Sequence, residues 1–373
     1  MAFVAFWTFG SIVTPAHAHP QMMRQAPHGV VGDGRAPGFL ALPPRGVDPR
    51  SLDAQAAASA TVPNFSGIVT SPLDKKTYQY RMVGTAPTTK SSTTVTYVPI
   101  FIRFHGYGTV LDPTAAGCHD TKPISQRIAA SPLLTSKAWT SNGVAVGTTQ
   151  LTDAFQRANF WQYARGTNYH VLLAGAPAHV VDFTNMQYGT SKGVCPGSNH
   201  LVGFVDLPTF DTAVRSIISR YVAPNQMAMV IAYNVLFVCN GQTCAGGFHS
   251  AYGRSNGTQT YTVSSYFDYG TFPTNPSYAD ITVLSHEFGE WLDDPFVNNP
   301  TPAWHFAATS TCSSLLEVGD PLSGTQFAAT SNGFTYHPQE LAFFSWFYRT
   351  PPTGTGGRES FNGTFRTPQG ACH

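Results

Sequence analysis

The apolar positions of this chain change period several times, and each change marks an element. Over 93–107, "TVTYVPIFIRFHGYG", β-branched and aromatic residues partly alternate with polar ones and predict a strand. Over 148–164, Leu151, Phe155, Ala158 and Trp161 recur at helical spacing and predict a helix. "YHVLLAGA" (169–176) reads as another strand, "FDTAVRSIISRYV" (210–222) as an amphipathic helix, and "MAMVIAYNVLFV" (227–238) as a buried strand. In "NPSYADITVLSHEFGEWLDDP" (275–295), Ile281, Leu284, Phe288 and Trp291 mark the buried side of a further helix. Asn275 is placed to cap it, Pro276 suits its first position and Pro295 stops it. Strands and helices in this order predict an α/β (α+β) domain built on a mixed β-sheet with long loops.

Composition narrows the class. Of 373 residues only 11% are charged and the net charge is +1, which leaves no electrostatic footprint for nucleic acid. "AFVAFWTFGSIV" followed by "AHA" at 16–18 has the form of a signal peptide over 1–18, so a secreted or periplasmic protein is expected. No later segment reaches the ~18 apolar residues of a membrane span. Residues 19–60 mix Pro, Gly, Ala and Arg without a period and read as a flexible linker or pro-segment, leaving 61–373 as one domain. Six cysteines (118, 195, 239, 244, 312 and 372) lack the paired C-x-x-C spacing of a structural zinc site, and disulfides are expected. Cys239 and Cys244 flank a turn-like "NGQT", and Cys312 with Cys372 would tie down the C-terminal tail.

The candidate chemistry lies in "SHEFGEWLDD" (285–294). It opens like the H-E-x-x-H helix of zinc peptidases, with Glu290 where the second histidine would stand. At 3.6 residues per turn His286, Glu290 and Asp293 fall on nearly one face, and Glu287 sits one position round from His286. That spacing lets His286 and Glu290 hold a metal while Glu287 acts as general base. An exposed acidic face is the plain alternative, but Glu287, Glu290, Asp293 and Asp294 crowd at repelling spacings toward the helix C-terminus, where negative charge is disfavoured. Between Arg254 and Arg349 there is no Lys or Arg, yet these 94 residues hold nine acids: Asp268, Asp280, Glu287, Glu290, Asp293, Asp294, Glu317, Asp320 and Glu340. A bound cation would neutralise the buried part of such a cluster. For the third protein ligand, Glu317 in "LLEVGDPLSG" leads, with His337 and Asp320 as alternatives. His337 opens an expected helix in "YHPQELAFFSWF" and suits either a ligand or a catalytic hydrogen-bond donor; His305 is the weaker histidine.

"SHEFGEWLDDPFVNNPTPAW", "LEVGDPLSG" and "YHPQELAFFSWF" together resemble a group of uncharacterised secreted bacterial proteins with an H-E-x-x-E motif. More distantly, they and "CAGGFHSAYG" resemble the plant EXORDIUM (phosphate-induced) proteins. The resemblance covers about residues 280–350, more weakly from about 95, and implies a zincin-like fold on an exported protein. The expected function is a secreted zinc-dependent hydrolase, an endopeptidase acting on a polypeptide or wall-associated substrate. His286, Glu290 and Glu317 would hold Zn2+, and Glu287 and His337 would be catalytic. One histidine with two carboxylates also suits Mn2+ or Fe2+. The rival readings are a non-catalytic EXORDIUM-like binding module with a structural metal, and a non-haem iron site of His286, Glu290 and His337.

Overall fold

The computed structural model describes residues 39–42, 60–106, 108–118, 120–184, 188–192, 201–272, 278–306, 312–365 and 372. The expected signal peptide and most of the expected linker lie outside these residues.

Strand β1 (Phe39–Ala41) falls inside the stretch expected to be linker. A hairpin of β2 (Asn64–Thr70) and β3 (Thr77–Val83) precedes the long β4 (Ser92–Gly106) and the short β5 (Thr109–Leu111). Helix α1 (Ile124–Ala129) and the hairpin β6 (Lys137–Ser141)–β7 (Val144–Thr149) follow. The helix expected over 148–164 is two, α2 (Leu151–Asn159) and α3 (Trp161–Ala164). Then come β8 (His170–Gly175), β9 (His179–Phe183), β10 (Tyr188–Lys192) and β11 (Leu201–Asp206). Helix α4 (Leu207–Tyr221) starts on the side chain of Asp206, which accepts from the Thr209 N–H at 3.1 Å. Strands β12 (Met227–Tyr233), β13 (Val235–Cys239), β14 (Gln242–Ala245), β15 (Gly247–Arg254) and β16 (Gly257–Tyr266) lead to helix α5 (Thr282–Asp293). Two hairpins, β17 (Pro300–His305)–β18 (Cys312–Leu315) and β19 (Ala329–Ser331)–β20 (Phe334–Tyr336), precede α6 (Phe344–Tyr348).

The main sheet is mixed, in the order β1-β15-β16-β12-β4-β5, with β8 and β9 also paired to β4. Strand β12 runs parallel to both β16 and β4, while β15 and β16 are antiparallel. Its near-continuous apolar sequence is explained by cover on both faces. Met227, Met229, Ile231 and Tyr233 enter the core that contains Leu284, Phe288 and Trp291 of α5. Ala228, Val230 and Ala232 enter the opposite core, with Phe210, Val214 and Ile218 of α4. The run expected as one strand over 227–238 is two strands in two sheets. The break is Asn234, held at φ 51°, a conformation asparagine tolerates better than most residues.

Cys239 pairs with Cys244 and Cys312 with Cys372, and Cys118 is disulfide-bonded too. No helix among the described residues is long and apolar enough to cross a membrane.

Candidate metal centre

Helix α5 is buried along its whole length, so the exposed acidic face is not its arrangement. A helix buried all round must find partners for every polar side chain it carries. Its N-terminus begins at Thr282, later than the expected caps Asn275 and Pro276, which lie outside the described residues. The Thr282 hydroxyl donates to the carbonyls of Ala279 and His337, both at 2.7 Å.

The nine acids of the cation-free window sort into two groups. Five have ordinary partners. Asp268 accepts from Asn234 Nδ2 at 2.9 Å and the Cys118 N–H at 3.1 Å. Asp280 pairs with His337 at 2.7 Å, and Asp293 accepts from Gln156 and Asn159. Asp294 accepts the Asn298 and Asn299 N–H groups at 2.9 and 3.1 Å, and Glu340 those of Asn362 and Thr364 at 2.9 and 3.2 Å. The other four, Glu287, Glu290, Glu317 and Asp320, converge on two histidines.

Those histidines are His286 and His249. The second comes from β15, where Phe248 points into the α4-side core and the alternation of the strand turns His249 toward α5. Gly247 makes the approach possible. A Cβ there would lie 2.5 Å from Val283 Cγ1 and 3.0 Å from Glu287 Oε1. Glu290 stands between the rings, with Oε1 2.9 Å from His286 Nε2 and Oε2 3.4 Å from His249 Nδ1. His249 Nδ1 is also 3.4 Å from Glu287 Oε2, and its Nε2 is 3.7 Å from Glu317 Oε2. Asp320 Oδ1 reaches to 3.6 Å from His286 Nε2, and the Gly319 N–H donates to Glu290 Oε1 at 3.3 Å. Asp320, with 7% of its side chain accessible, is the most open of the six.

Electrostatics set these groups against one another in the absence of a cation. Burial pushes the Glu287 carboxyl up to about 7, only partly opposed by His249 and His286. Burial acts on Glu290 in the same direction, but His286 and His249 outweigh it and hold Glu290 down at about 2. Burial, reinforced by the Glu290 charge, drives Glu317 and Asp320 well above the usual carboxylate range. For the histidines burial lowers the pKa, yet the carboxylates raise His286 to about 9 and His249 well above its ordinary value.

Whether the residues suit a metal can be tested on their unmet valences. Neither ring nitrogen of His249, neither oxygen of Glu287 and neither oxygen of Glu317 makes a hydrogen bond, and all three side chains are buried. Buried polar atoms rarely go unpartnered. The His249 imidazole and the Glu287 and Glu317 carboxylates, converging without a hydrogen bond, fit a divalent cation. Two triads have ligand atoms close enough to hold an ion, His249–Glu290–Glu317 and His286–Glu290–Asp320. A third group, His305 with Cys312 and Cys372, has both its sulfurs in a disulfide and offers no thiolate.

Of the residues singled out in the sequence, His286, Glu287, Glu290, Glu317 and Asp320 are together. Glu317 and Asp320 need not compete as third ligand, since each joins a different triad. His337 belongs to neither. It lies outside any helix, its ring on Asp280 and its N–H bonded to Asp280 Oδ1 at 2.8 Å, bracing the start of α5. Pro338 follows it, and a residue before proline disfavours the helical region, so the expected helix begins only at Phe344. His249 was not singled out as a ligand in the sequence. Its signal is slight, one polar ring two residues after a glycine in the alternating "GFHSAY".

No family model matches this chain, and no curated protein or solved structure does.

Proposed function

We propose that this is an exported metal-dependent hydrolase with its centre between β15, α5 and the 317–320 turn. The observation that carries the reading is the place of Glu287. Its carboxylate lies against His249, buried and without a hydrogen bond, yet it belongs to neither ligand triad. A carboxylate beside a metal but outside its ligand set is positioned to take a proton from water. A bound divalent cation, Zn2+ or Mn2+, would supply Lewis acidity and a more acidic water. Glu290 with His249 and Glu317, or with His286 and Asp320, would hold it, and Glu287 would receive the proton. The expected polypeptide or wall-associated substrate, the zincin-like likeness and the export all rest on the sequence. Disulfides and the lack of a spanning helix among the described residues are compatible with that setting.

The test is Glu287→Gln in the full chain, assayed on an unbiased peptide mixture beside metal content and thermal melting. The variant is expected to keep its metal and its melt and to lose hydrolysis by ~10²-fold or more, the scale of a lost general base. Equal cleavage by wild type and variant would refute this role for Glu287. One observation favours a second reading, a structural metal in an extracellular binding module: the cluster is almost closed to solvent. A wild type that holds metal but cleaves nothing with zinc, manganese or iron supplied would decide for it.

A further inference from the structure

Glu290 presents one carboxylate oxygen to each histidine, and this division runs through the whole cluster. On one side lie His249 and Glu317; on the other lie His286 and Asp320. Each set closes a triad only by including Glu290. We propose that the centre holds two divalent cations, one per triad, with the Glu290 carboxylate bridging them. The inference rests on the reading of this cluster as a cation site and adds a second ion to it.

Two further observations support the pair over a single ion. The first concerns unmet valence. A cation served by His286, Glu290 and Asp320 would leave the buried His249 ring and both Glu317 oxygens without a hydrogen bond or a metal. A cation served by His249, Glu290 and Glu317 would leave Asp320 facing His286 with no ion between them.

The second is charge. Glu287, Glu290, Glu317 and Asp320 are all buried, and among the described residues no Lys or Arg forms an ion pair with any of them. Deprotonated together beside two neutral imidazoles, as metal ligation requires, they carry about −4; one divalent cation leaves about −2, to be met by protons held on the carboxylates it does not reach, and two leave none. Uncompensated charge in a site excluded from water costs several kcal/mol per ion, which favours the neutral pair.

The experiment loads the full-length, chelator-stripped protein with Mn2+, removes free ion by gel filtration, and measures bound manganese and its EPR spectrum. Two ions per chain with an exchange-coupled spectrum are expected. Two ions with the six-line spectrum of isolated Mn2+ would overturn the bridge. One ion per chain would overturn the second site while leaving the proposed function standing, and none would remove both. His249→Ala and Asp320→Asn, each accepted only with an unchanged near-UV circular dichroism spectrum, are expected to fall from two ions to one and to lose the coupling. Either variant still holding two coupled ions would also overturn the proposal.

Discussion

The backbone of Gly319 lies so close to the imidazole of His286 that a side chain at 319 would occupy the ring's own volume. The same glycine donates its N–H to Glu290 and accepts from Gln339 Nε2 at 2.7 Å, so it cannot slide away freely. Gly319→Ala is therefore expected to displace His286. It should cost ~1–3 kcal/mol in stability, the usual scale of overpacking, and weaken metal retention. Thermal melting and metal content after dialysis check both, and an unchanged melt with full metal would show that the ring has room to move.

Metal removal should be felt throughout the fold, because the ligands join a strand, a helix and a turn of the core. At free metal about a thousandfold above its Kd, binding to the folded state alone adds ~4 kcal/mol. Chelation is expected to lower the melting temperature and re-addition of Zn2+ or Mn2+ to restore it. Differential scanning calorimetry with and without chelator reads this directly.

The pairing of His337 with Asp280 predicts a pH dependence separate from the centre. The Asp280 hydrogen bond raises the His337 pKa above its ordinary value, against a smaller opposing effect of burial. A histidine raised on folding contributes stability that is full below its unfolded pKa of about 6.5 and is lost as pH rises through the folded value. His337→Gln should thus lower the melting temperature most at about pH 5.5 and progressively less in the alkaline range. A difference from wild type that grows with pH would contradict the assignment.

The two described disulfide pairs should differ in value. Cys312–Cys372 closes 60 residues and Cys239–Cys244 only 5. Loop-closure entropy makes the long one worth ~4 kcal/mol and the short one ~2 kcal/mol. Paired Cys→Ser variants compared by urea denaturation would test the order.

Local spacing made part of the centre legible. His286 and Glu290 are neighbours because four residues make about one helical turn, and the cation-free window marked the acids as needing compensation. The same helical wheel put Asp293 on nearly that face too. It shares the angle but lies seven residues from His286, about 10 Å along the axis, where Gln156 and Asn159 of α2 meet it instead. His249 was hidden because its role comes from strand pairing across the sheet, which local periodicity does not record. The break at Asn234 was hidden for a related reason: an apolar run looks the same whether it crosses one sheet or two.

Strand β1 lies at the end of the main sheet, pairing with β15 along Gly247–His249. It therefore occupies backbone groups directly beside a candidate ligand. A chain trimmed beyond residue 42 would leave that border of β15 unpaired, open to any extended peptide that can add as a strand. The same opening would invite self-association.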